Sequence, residues 1–196
     1  MKNCKFLKSV AKSENIINDE KFEVAFVGRS NVGKSSLINA IFNNKTLAKT
    51  SSTQGLTKLI NYFDVDNKFY LVDLPGYGYH KAGKNNEENW SDLIEKYFAF
   101  KEDRKLILLL LDIRLDISEQ DKQMLKFLNF YSLPFKIIAT KSDKIAKSKR
   151  NNQKLNLAKQ TNVGVDDILF CSSDTKENIN LIKNLIEERV NGYEMS

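Results

Sequence analysis

The chain has 196 residues, of which 41% are hydrophobic, a length that suits one α/β domain over residues 1–196 and is short for two. The net charge of +6 excludes a strongly acidic protein and leaves two readings open, an anionic partner such as nucleic acid or a solvated, lysine-rich surface. The two cysteines lack metal-ligand spacing, and no apolar run approaches the roughly 20 residues of a membrane span. We expect a soluble, cytoplasmic protein that does not enter a membrane.

The first part of the chain contains one clear strand and one clear helix. Residues 1–20 carry weak signals and predict either an edge strand around residues 4–10 or an ordered arm. The apolar run at 22–27 predicts a buried strand, and the apolar spacing up to about residue 43 predicts a helix. Residues 44–57 are small and polar without periodicity, which predicts a loop.

A complete phosphate-binding motif, G-R-S-N-V-G-K-S, lies between that strand and that helix at residues 28–35. In such a loop, successive backbone N–H groups face phosphate oxygens, and the positive end of the following helix assists them. We expect Lys34 to reach the terminal phosphates and the Ser35 hydroxyl to bind Mg²⁺. The motif alone admits either ATP or GTP.

Two strands at residues 58–66 and 68–74 are joined by a short polar turn and predict a hairpin. Where the second strand ends, Asp73 can hold Mg²⁺ through water, and the Gly76 N–H can contact a γ-phosphate. In the loop before the hairpin, Thr57 is the preferred candidate for a residue that reaches Mg²⁺ only when a γ-phosphate is present. It is preferred over Thr53 because a strand begins directly behind it.

The second half of the chain alternates helices with strands. Ser118 and Asp121 predict a capping box at the start of one of these helices. The predicted elements are a helix around 90–98, a strand at 105–112, a helix from 118, a strand at 135–140, a basic helix at 147–160, a strand at 168–171 and a helix at 178–190. This order predicts an α/β fold, with a mostly parallel six-stranded sheet, one antiparallel edge strand and helices on both faces.

The tetrapeptide T-K-S-D at residues 140–143 follows one of the predicted strands. A carboxylate at Asp143 can accept two hydrogen bonds from the N1–H and N2–H₂ edge of guanine, a donor pair that adenine lacks. Lys141 would lay its stem over the base plane, so the tetrapeptide favours GTP over ATP. Ser172 and Ser173 either offer a backbone N–H to guanine O6 or form an ordinary strand-to-helix cap.

Two groups of basic residues admit two interpretations each: simple solvation or, for the first group, contact with RNA or protein and, for the second, contact with a phosphate backbone. One group follows the D-L-P-G-Y-G-Y motif at residues 73–79 and comprises His80, Lys81 and Lys84. The other surrounds the start of the basic helix and comprises Lys144, Lys147, Lys149 and Arg150. For His80, a solvated position without a catalytic role is preferred.

The ordered motifs G-R-S-N-V-G-K-S, T-Q-G-L-T, D-L-P-G-Y-G-Y and T-K-S-D, closed by S-S, resemble those of the bacterial EngB (YihA/YsxC) family within the TrmE-Era-EngA-EngB group of P-loop GTPases. The resemblance runs from about residue 5 to the end and includes Trp90 and D-I-R at residues 112–114. Gln54-Gly55-Leu56 departs from the Pro-Gly-Arg usual in the family. Asn178 stands where glycine is common, and asparagine also tolerates left-handed backbone angles.

The resemblance implies a Ras-like fold and Mg²⁺-dependent hydrolysis of GTP to GDP in a switch that acts in assembly of the large ribosomal subunit. It also implies a link to cell division and septation, a large-subunit precursor with its rRNA and ribosomal proteins as partner, and a monomer. The residues expected to bind the nucleotide and its ion are Gly28, Ser30, Asn31, Val32, Gly33, Lys34, Ser35, Ser36, Gly55, Thr57, Asp73, Gly76, Thr140, Lys141, Asp143, Ser172 and Ser173. Those expected to bind the metal are Ser35, Thr57 and Asp73, and those expected to act in catalysis are Asn31, Lys34, Thr57 and Gly76.

Tyr77 occupies the position after D-x-x-G where many GTPases carry a glutamine that orients the attacking water. A phenol cannot accept and donate as a carboxamide does, which predicts slow intrinsic hydrolysis that a partner or a monovalent cation accelerates. In related GTPases an asparagine at the position of Asn31 helps to bind K⁺. Asn31 therefore either binds K⁺ or satisfies loop amides.

Two other functions compete with a GTPase switch. An ATP-dependent small-molecule kinase uses the same phosphate loop, but it needs a lid with catalytic arginines and has no use for T-K-S-D. A guanine-nucleotide-dependent RNA-binding scaffold with incidental hydrolysis is the second alternative, and Tyr77 favours it.

Overall fold

The computed structural model describes residues 1–48, 59–78, 84–100 and 102–195, with the backbone alone at residues 84–91 and 102. The strands in these ranges are β1 (Cys4–Val10), β2 (Phe22–Gly28), β3 (Ile60–Val65), β4 (Phe69–Asp73), β5 (Lys105–Asp112), β6 (Phe135–Thr140) and β7 (Ile168–Phe170). The α-helices are α1 (Lys34–Phe42), α2 (Lys84–Ala99), α3 (Glu119–Phe130), α4 (Lys147–Thr161) and α5 (Ile179–Glu194). Short 3₁₀ helices lie at Ser13–Asn15, Glu102–Arg104, Ser142–Lys144 and Val165–Asp167.

The strands form one sheet in the order β1-β3-β4-β2-β5-β6-β7. β2 pairs in parallel with β4 and β5, β6 pairs in parallel with β5 and β7, and β3 is antiparallel to both β4 and β1. The prediction of a mostly parallel α/β sheet is confirmed. Two details differ, because the described sheet has seven strands instead of six and its antiparallel strand lies second from the edge.

Both differences come from β1, which pairs with β3 as an edge strand, so the alternative of an ordered arm is wrong. Five consecutive residues, from Lys5 to Ser9, are exposed, and the pairing register shifts between Phe6 and Lys8. A strand that is exposed on both faces and interrupted by a bulge has no alternating pattern of apolar residues. The sequence could therefore not decide between a strand and an arm at this place.

The core has two layers because the central strands are covered on both faces. β2 is buried along its whole length and β5 up to its last residue, as expected for parallel strands between helices. Helices α2, α3 and α4 cover one face, where Tyr97, Met124 and Leu157 are buried. Helices α1 and α5 cover the other face, where Ile38 and Ile182 are buried.

The sheet register aligns the carboxyl ends of the strands that carry the predicted motifs. Phe26 on β2 pairs with Asp73 on β4, and Asp112 on β5 pairs with Thr140 on β6. The capping box predicted for α3 is present, since Ser118 accepts from the Asp121 N–H. Among the described helices, none is both long enough and apolar enough to cross a membrane.

Candidate functional site

The loop between β2 and α1 has the backbone shape of an anion cradle. Asn31 and Gly33 have positive φ values of 64° and 104°, and the Val32 N–H donates to the Arg29 carbonyl oxygen at 3.1 Å. Residues that alternate between right-handed and left-handed angles turn successive N–H groups toward one concave surface. Because α1 begins at Lys34, directly after Gly33, the positive end of its dipole lies at the same surface.

The D-L-P-G segment at residues 73–76, where β4 ends, lies against this loop. Lys34 Nζ is hydrogen-bonded to Asp73 Oδ1, and both side chains are largely buried. Gly76 packs so closely on the loop that a Cβ atom there would lie 3.2 Å from the Ser30 nitrogen and from Ser30 Oγ. The end of β4 therefore brings a carboxylate and a backbone amide to the N-terminus of α1.

Tyr77 is fixed to its surroundings by both its backbone and its side chain. Its carbonyl oxygen accepts from the Ser30 N–H at 3.0 Å, and its own N–H donates to the Gly28 carbonyl oxygen at 3.3 Å. Its hydroxyl donates to Asp121 Oδ1 at 2.8 Å in the core beside α3. The phenol therefore points into the protein, where Asp121 engages its hydroxyl.

The T-K-S-D tetrapeptide at residues 140–143, called the base motif from here on, is connected directly to the phosphate loop. The Thr140 hydroxyl donates to the Val32 carbonyl oxygen at 2.7 Å, and Lys141 Nζ donates to the Asn31 carbonyl oxygen at the same distance. These two contacts fix the end of β6 against the loop after β2. A ligand that spans both motifs would meet one continuous surface.

Asp143 is held in place by its neighbours. Its Oδ1 accepts from the Ser172 hydroxyl at 2.6 Å, and its Oδ2 lies 2.8 Å from Lys144 Nζ. The hydrogen bond from Lys144, followed by that from Ser172, lowers the pKa of Asp143 below its usual value. The carboxylate therefore stays charged and able to accept the donor pair of guanine.

The two serines after β7 have different roles. The Ser172 N–H donates to the Glu177 carbonyl oxygen at 3.2 Å, and Ser172 Oγ accepts from the Thr175 N–H at 3.1 Å. The Ser173 N–H donates to no other described residue. If one of these amides contacts guanine O6, it is therefore that of Ser173, while Ser172 orients Asp143.

A contact that the motifs did not reveal joins the end of β5 to the base motif. Asp112 Oδ2 lies 2.9 Å from Lys141 Nζ, and the same carboxylate accepts hydrogen bonds from Arg114. Two features of the sequence point to Asp112: its position at the carboxyl end of a buried strand, where ligand sites form in such sheets, and its place in the D-I-R stretch of the family resemblance. Which side chain it meets depends on the register between β5 and β6.

A family model described as "50S ribosome-binding GTPase" matches residues 23–141 of the chain. The probable GTP-binding protein EngB of Streptococcus pneumoniae (strain Hungary19A-6) is 41% identical over 189 residues, which are 96% of this chain and 97% of that protein. The protein of the same name from Leuconostoc citreum (strain KM20) is 43% identical over 178 residues, 89% of this chain and 91% of that one. The chain belongs to the EngB family.

Solved structures show the same fold. A crystal structure of a probable EngB protein aligns with a TM-score of 0.71 at 24% identity, covering 87% of this chain and 99% of that one. Aquifex aeolicus Era bound to GDP.AlF4⁻ aligns with a TM-score of 0.67 at 20% identity, covering 86% of this chain and 57% of that one. The EngB-family protein is thus a P-loop GTPase, which binds GTP and hydrolyses it to GDP.

The structure brings most of the predicted site residues of this EngB-family chain to one edge of the sheet. That edge carries the phosphate loop with Lys34, Ser35 and Ser36, the Asp73–Gly76 segment, and the base motif beside Ser172 and Ser173. Gly55, Thr57, Thr53, His80 and Lys81 lie outside the described residues, and Lys84 is described by its backbone alone. Asn178 has a left-handed φ of 59°, an angle that asparagine tolerates.

The basic group near α4 is smaller than the sequence indicated. Arg150 is buried and forms an ion pair with Glu177, so it does not belong to a phosphate-binding surface. Lys144 contacts the carboxylates of Asp143 and Asp174. Lys147 and Lys149 are exposed, and so is Lys144 beside its two carboxylate partners.

Proposed function

We propose that this GTPase is a Mg²⁺-dependent molecular switch that acts in assembly of the large ribosomal subunit. The observation that carries the switch is the contact between Lys34 and Asp73, which brings the end of β4 to the phosphate loop. The description of the family as ribosome-binding supports the choice of partner. The proposed partner is a large-subunit precursor with its rRNA and ribosomal proteins, bound by a monomer in the cytoplasm.

The donor atoms around Lys34 suit Mg²⁺. The Ser35 hydroxyl and the Asp73 carboxylate are hard oxygen ligands of the kind that this ion prefers. In the described part of the chain, no group of three or more His, Cys, Asp or Glu side chains could hold a metal ion, which agrees with an ion bound mainly by phosphate oxygens and water. Bound Mg²⁺ would neutralise charge on the β- and γ-phosphates. Thr57 is the proposed further ligand.

The residues of the chain would sense the γ-phosphate through Gly76. Lys34 would donate to the terminal phosphates and Gly76 would offer its N–H to the γ-phosphate. Because Gly76 packs against Ser30, and Tyr77 is bonded to both the phosphate loop and α3, movement at Gly76 would be transmitted to α3. Loss of the γ-phosphate would release this segment and so change the surface that a ribosomal partner meets.

Slow hydrolysis is part of the proposal because the Tyr77 hydroxyl is engaged by Asp121. Asn31 is the proposed ligand for K⁺, which would neutralise charge in the transition state. Its side chain is exposed and hydrogen-bonds to no described residue, which disfavours the alternative that it satisfies loop amides. The engaged hydroxyl also favours a second candidate function, a guanine-nucleotide-dependent RNA-binding scaffold in which hydrolysis is incidental.

The test compares capture of large-subunit precursor particles by the protein loaded with GDP or with a non-hydrolysable GTP analogue. We expect capture to differ by at least tenfold between the two states. Asp143→Asn should transfer this dependence to xanthine nucleotides, whose 2-oxo group replaces the 2-amino donor of guanine. Asp166→Asn, at an exposed position of the 3₁₀ helix Val165–Asp167, should leave it unchanged. Equal capture in both states would contradict the switch.

Single-turnover hydrolysis with and without particles separates the switch from the scaffold. We expect particles to accelerate hydrolysis if the protein is a switch that the ribosome resets. A rate that particles leave unchanged would favour the scaffold, provided that the same particles bind the protein in the capture experiment.

A further inference from the structure

The Asp112 carboxylate, which follows the buried part of β5, is the centre of a dense hydrogen-bond network. Its Oδ1 accepts from the Arg114 backbone N–H at 3.1 Å and from Arg114 Nε at 2.9 Å. Its Oδ2 accepts from an Arg114 terminal nitrogen at 2.7 Å and lies 2.9 Å from Lys141 Nζ. Only 9% of the Asp112 side chain is exposed, whereas 41% of the Arg114 side chain and 28% of the Lys141 side chain are exposed, so the charge-assisted bonds lie at the surface with the carboxylate on their inner side.

Lys141 reaches this network from a backbone conformation that non-glycine residues avoid. Its φ is 62°, and it immediately precedes the 3₁₀ helix that carries Asp143. Its stem passes near the phosphate loop, where Cε would lie 4.0 Å from a Cβ placed on Gly33. The ammonium group is then held between Asp112 and the Asn31 carbonyl oxygen. A left-handed residue whose long side chain is fixed at its far end has little rotational freedom left.

We propose that Asp112, itself oriented by Arg114, is a positioning residue for Lys141 and strengthens purine nucleotide binding without taking part in base recognition. The inference rests on the proposed roles of Lys141 and Asp143 in nucleotide binding. Asp143 reads the hydrogen-bonding edge of guanine, whereas the stem of Lys141 lies over the face of the base, which guanine and hypoxanthine share. Because Asp112 holds the ammonium group, the stem is already in place before the nucleotide arrives, and less freedom is lost on binding.

This division of labour makes the contribution of Asp112 separable from that of Asp143. Loss of the Asp112 charge should lower the affinities for GDP and IDP by the same factor, since IDP lacks only the 2-amino group that Asp143 recognises. Changing Asp143 should instead alter the ratio of the two affinities. A variant that merely disturbed the local fold would affect binding whether or not Lys141 is present.

The experiment measures dissociation constants for GDP and IDP by calorimetry in the wild type, Asp112→Asn, Lys141→Met and the double variant. Asp112→Asn keeps the shape of the side chain and removes its charge, and we expect both affinities to fall about tenfold with their ratio unchanged. In the Lys141→Met background, Asp112→Asn should lower the nucleotide affinities by less than twofold, because the ammonium group that Asp112 holds is already absent. Asp116→Asn, in the same loop but bonded to Asn156 and Gln160, is the matched control with wild-type affinity.

Three outcomes would overturn the inference alone: wild-type affinity in Asp112→Asn, a larger loss for GDP than for IDP, or an undiminished loss in the Lys141→Met background. Thermal unfolding of the nucleotide-free variants shows whether each is folded. If Asp112→Asn is unfolded, Arg114→Gln, which leaves the Asp112 charge and its contact with Lys141 in place, is measured instead. It should give a smaller loss for both nucleotides at the same ratio, and an altered ratio would overturn the inference. A wild type that binds GDP no better than ADP would overturn the proposed site and, with it, this inference.

Discussion

The Tyr77 hydroxyl and the Asp121 carboxylate form a buried hydrogen bond of 2.8 Å that joins the segment after Gly76 to the N-terminus of α3. Asp121 also accepts from the N–H and the hydroxyl of Ser118, at 2.8 and 2.7 Å. Burial, and then the neighbouring Asp121 carboxylate, raise the pKa of Tyr77 above its usual value, so the hydroxyl stays protonated and remains a donor. Tyr77, the residue after D-x-x-G, thus makes a tertiary contact with α3.

Tyr77→Phe should therefore lower the free energy of unfolding but change the rate of GTP hydrolysis very little. We expect a loss of about 1 to 2 kcal/mol in the free energy of unfolding, because Asp121 retains its bonds from Ser118. The single-turnover rate of GTP hydrolysis should stay within twofold of the wild type, since the hydroxyl faces α3. Urea unfolding and rapid-quench hydrolysis measure the two quantities. Tyr131→Phe, at a half-buried ring, is the control, and a tenfold loss of rate in Tyr77→Phe would contradict this assignment.

The predictable parts of this fold are those in which one local pattern determines the structure. The continuous apolar runs gave β5 and β6 their observed limits of 105–112 and 135–140, and side-chain capping gave the start of α3. Asp73, Gly76 and Asp143 could be placed because the edge of a parallel sheet brings strand ends together. The contacts of Lys141 with Asp112 and of Tyr77 with Asp121 depend on register and on helix position, which no local pattern encodes.

Gly28→Ala should destabilise the protein because the added methyl group has no room. A Cβ at this position would lie 2.8 Å from Val32 Cγ1 and 3.0 Å from the Leu110 carbonyl oxygen, so the phosphate loop or β5 must shift. We expect a loss of about 1 to 3 kcal/mol in the free energy of unfolding and weaker GDP binding. The matched control is Gly192→Ala in α5, where nothing lies within 4 Å of the new atom. It should gain up to about 1 kcal/mol from helix propensity. Equal effects of the two changes would contradict the packing argument.

The proposed K⁺ site predicts that hydrolysis depends on the identity of the monovalent cation. At equal ionic strength, the turnover number in KCl should exceed that in NaCl by about tenfold, because a suitably bound ion neutralises charge that develops in the transition state. Asn31→Ala should remove most of this difference and leave GDP affinity within a fewfold of the wild type. Equal wild-type rates in the two salts would show that Asn31 has no such role.

Protonation of Asp112 in acid should lower the free energy of unfolding over a defined range of pH. Its contacts with Arg114 and Lys141 outweigh the effect of burial and lower its pKa from the ordinary value of 3.8 to about 2. Above about pH 5 the carboxylate is charged in both the folded and the unfolded chain, so the stabilisation is fully present. As the pH falls from about 5 to 2, the unfolded chain takes up the proton first and this stabilisation is lost. The difference in unfolding free energy between the wild type and Asp112→Asn should therefore shrink between pH 5 and pH 2.5 in urea titrations. A difference between the wild type and Asp112→Asn that stays constant over this range would mean that the charge on Asp112 does not stabilise the fold.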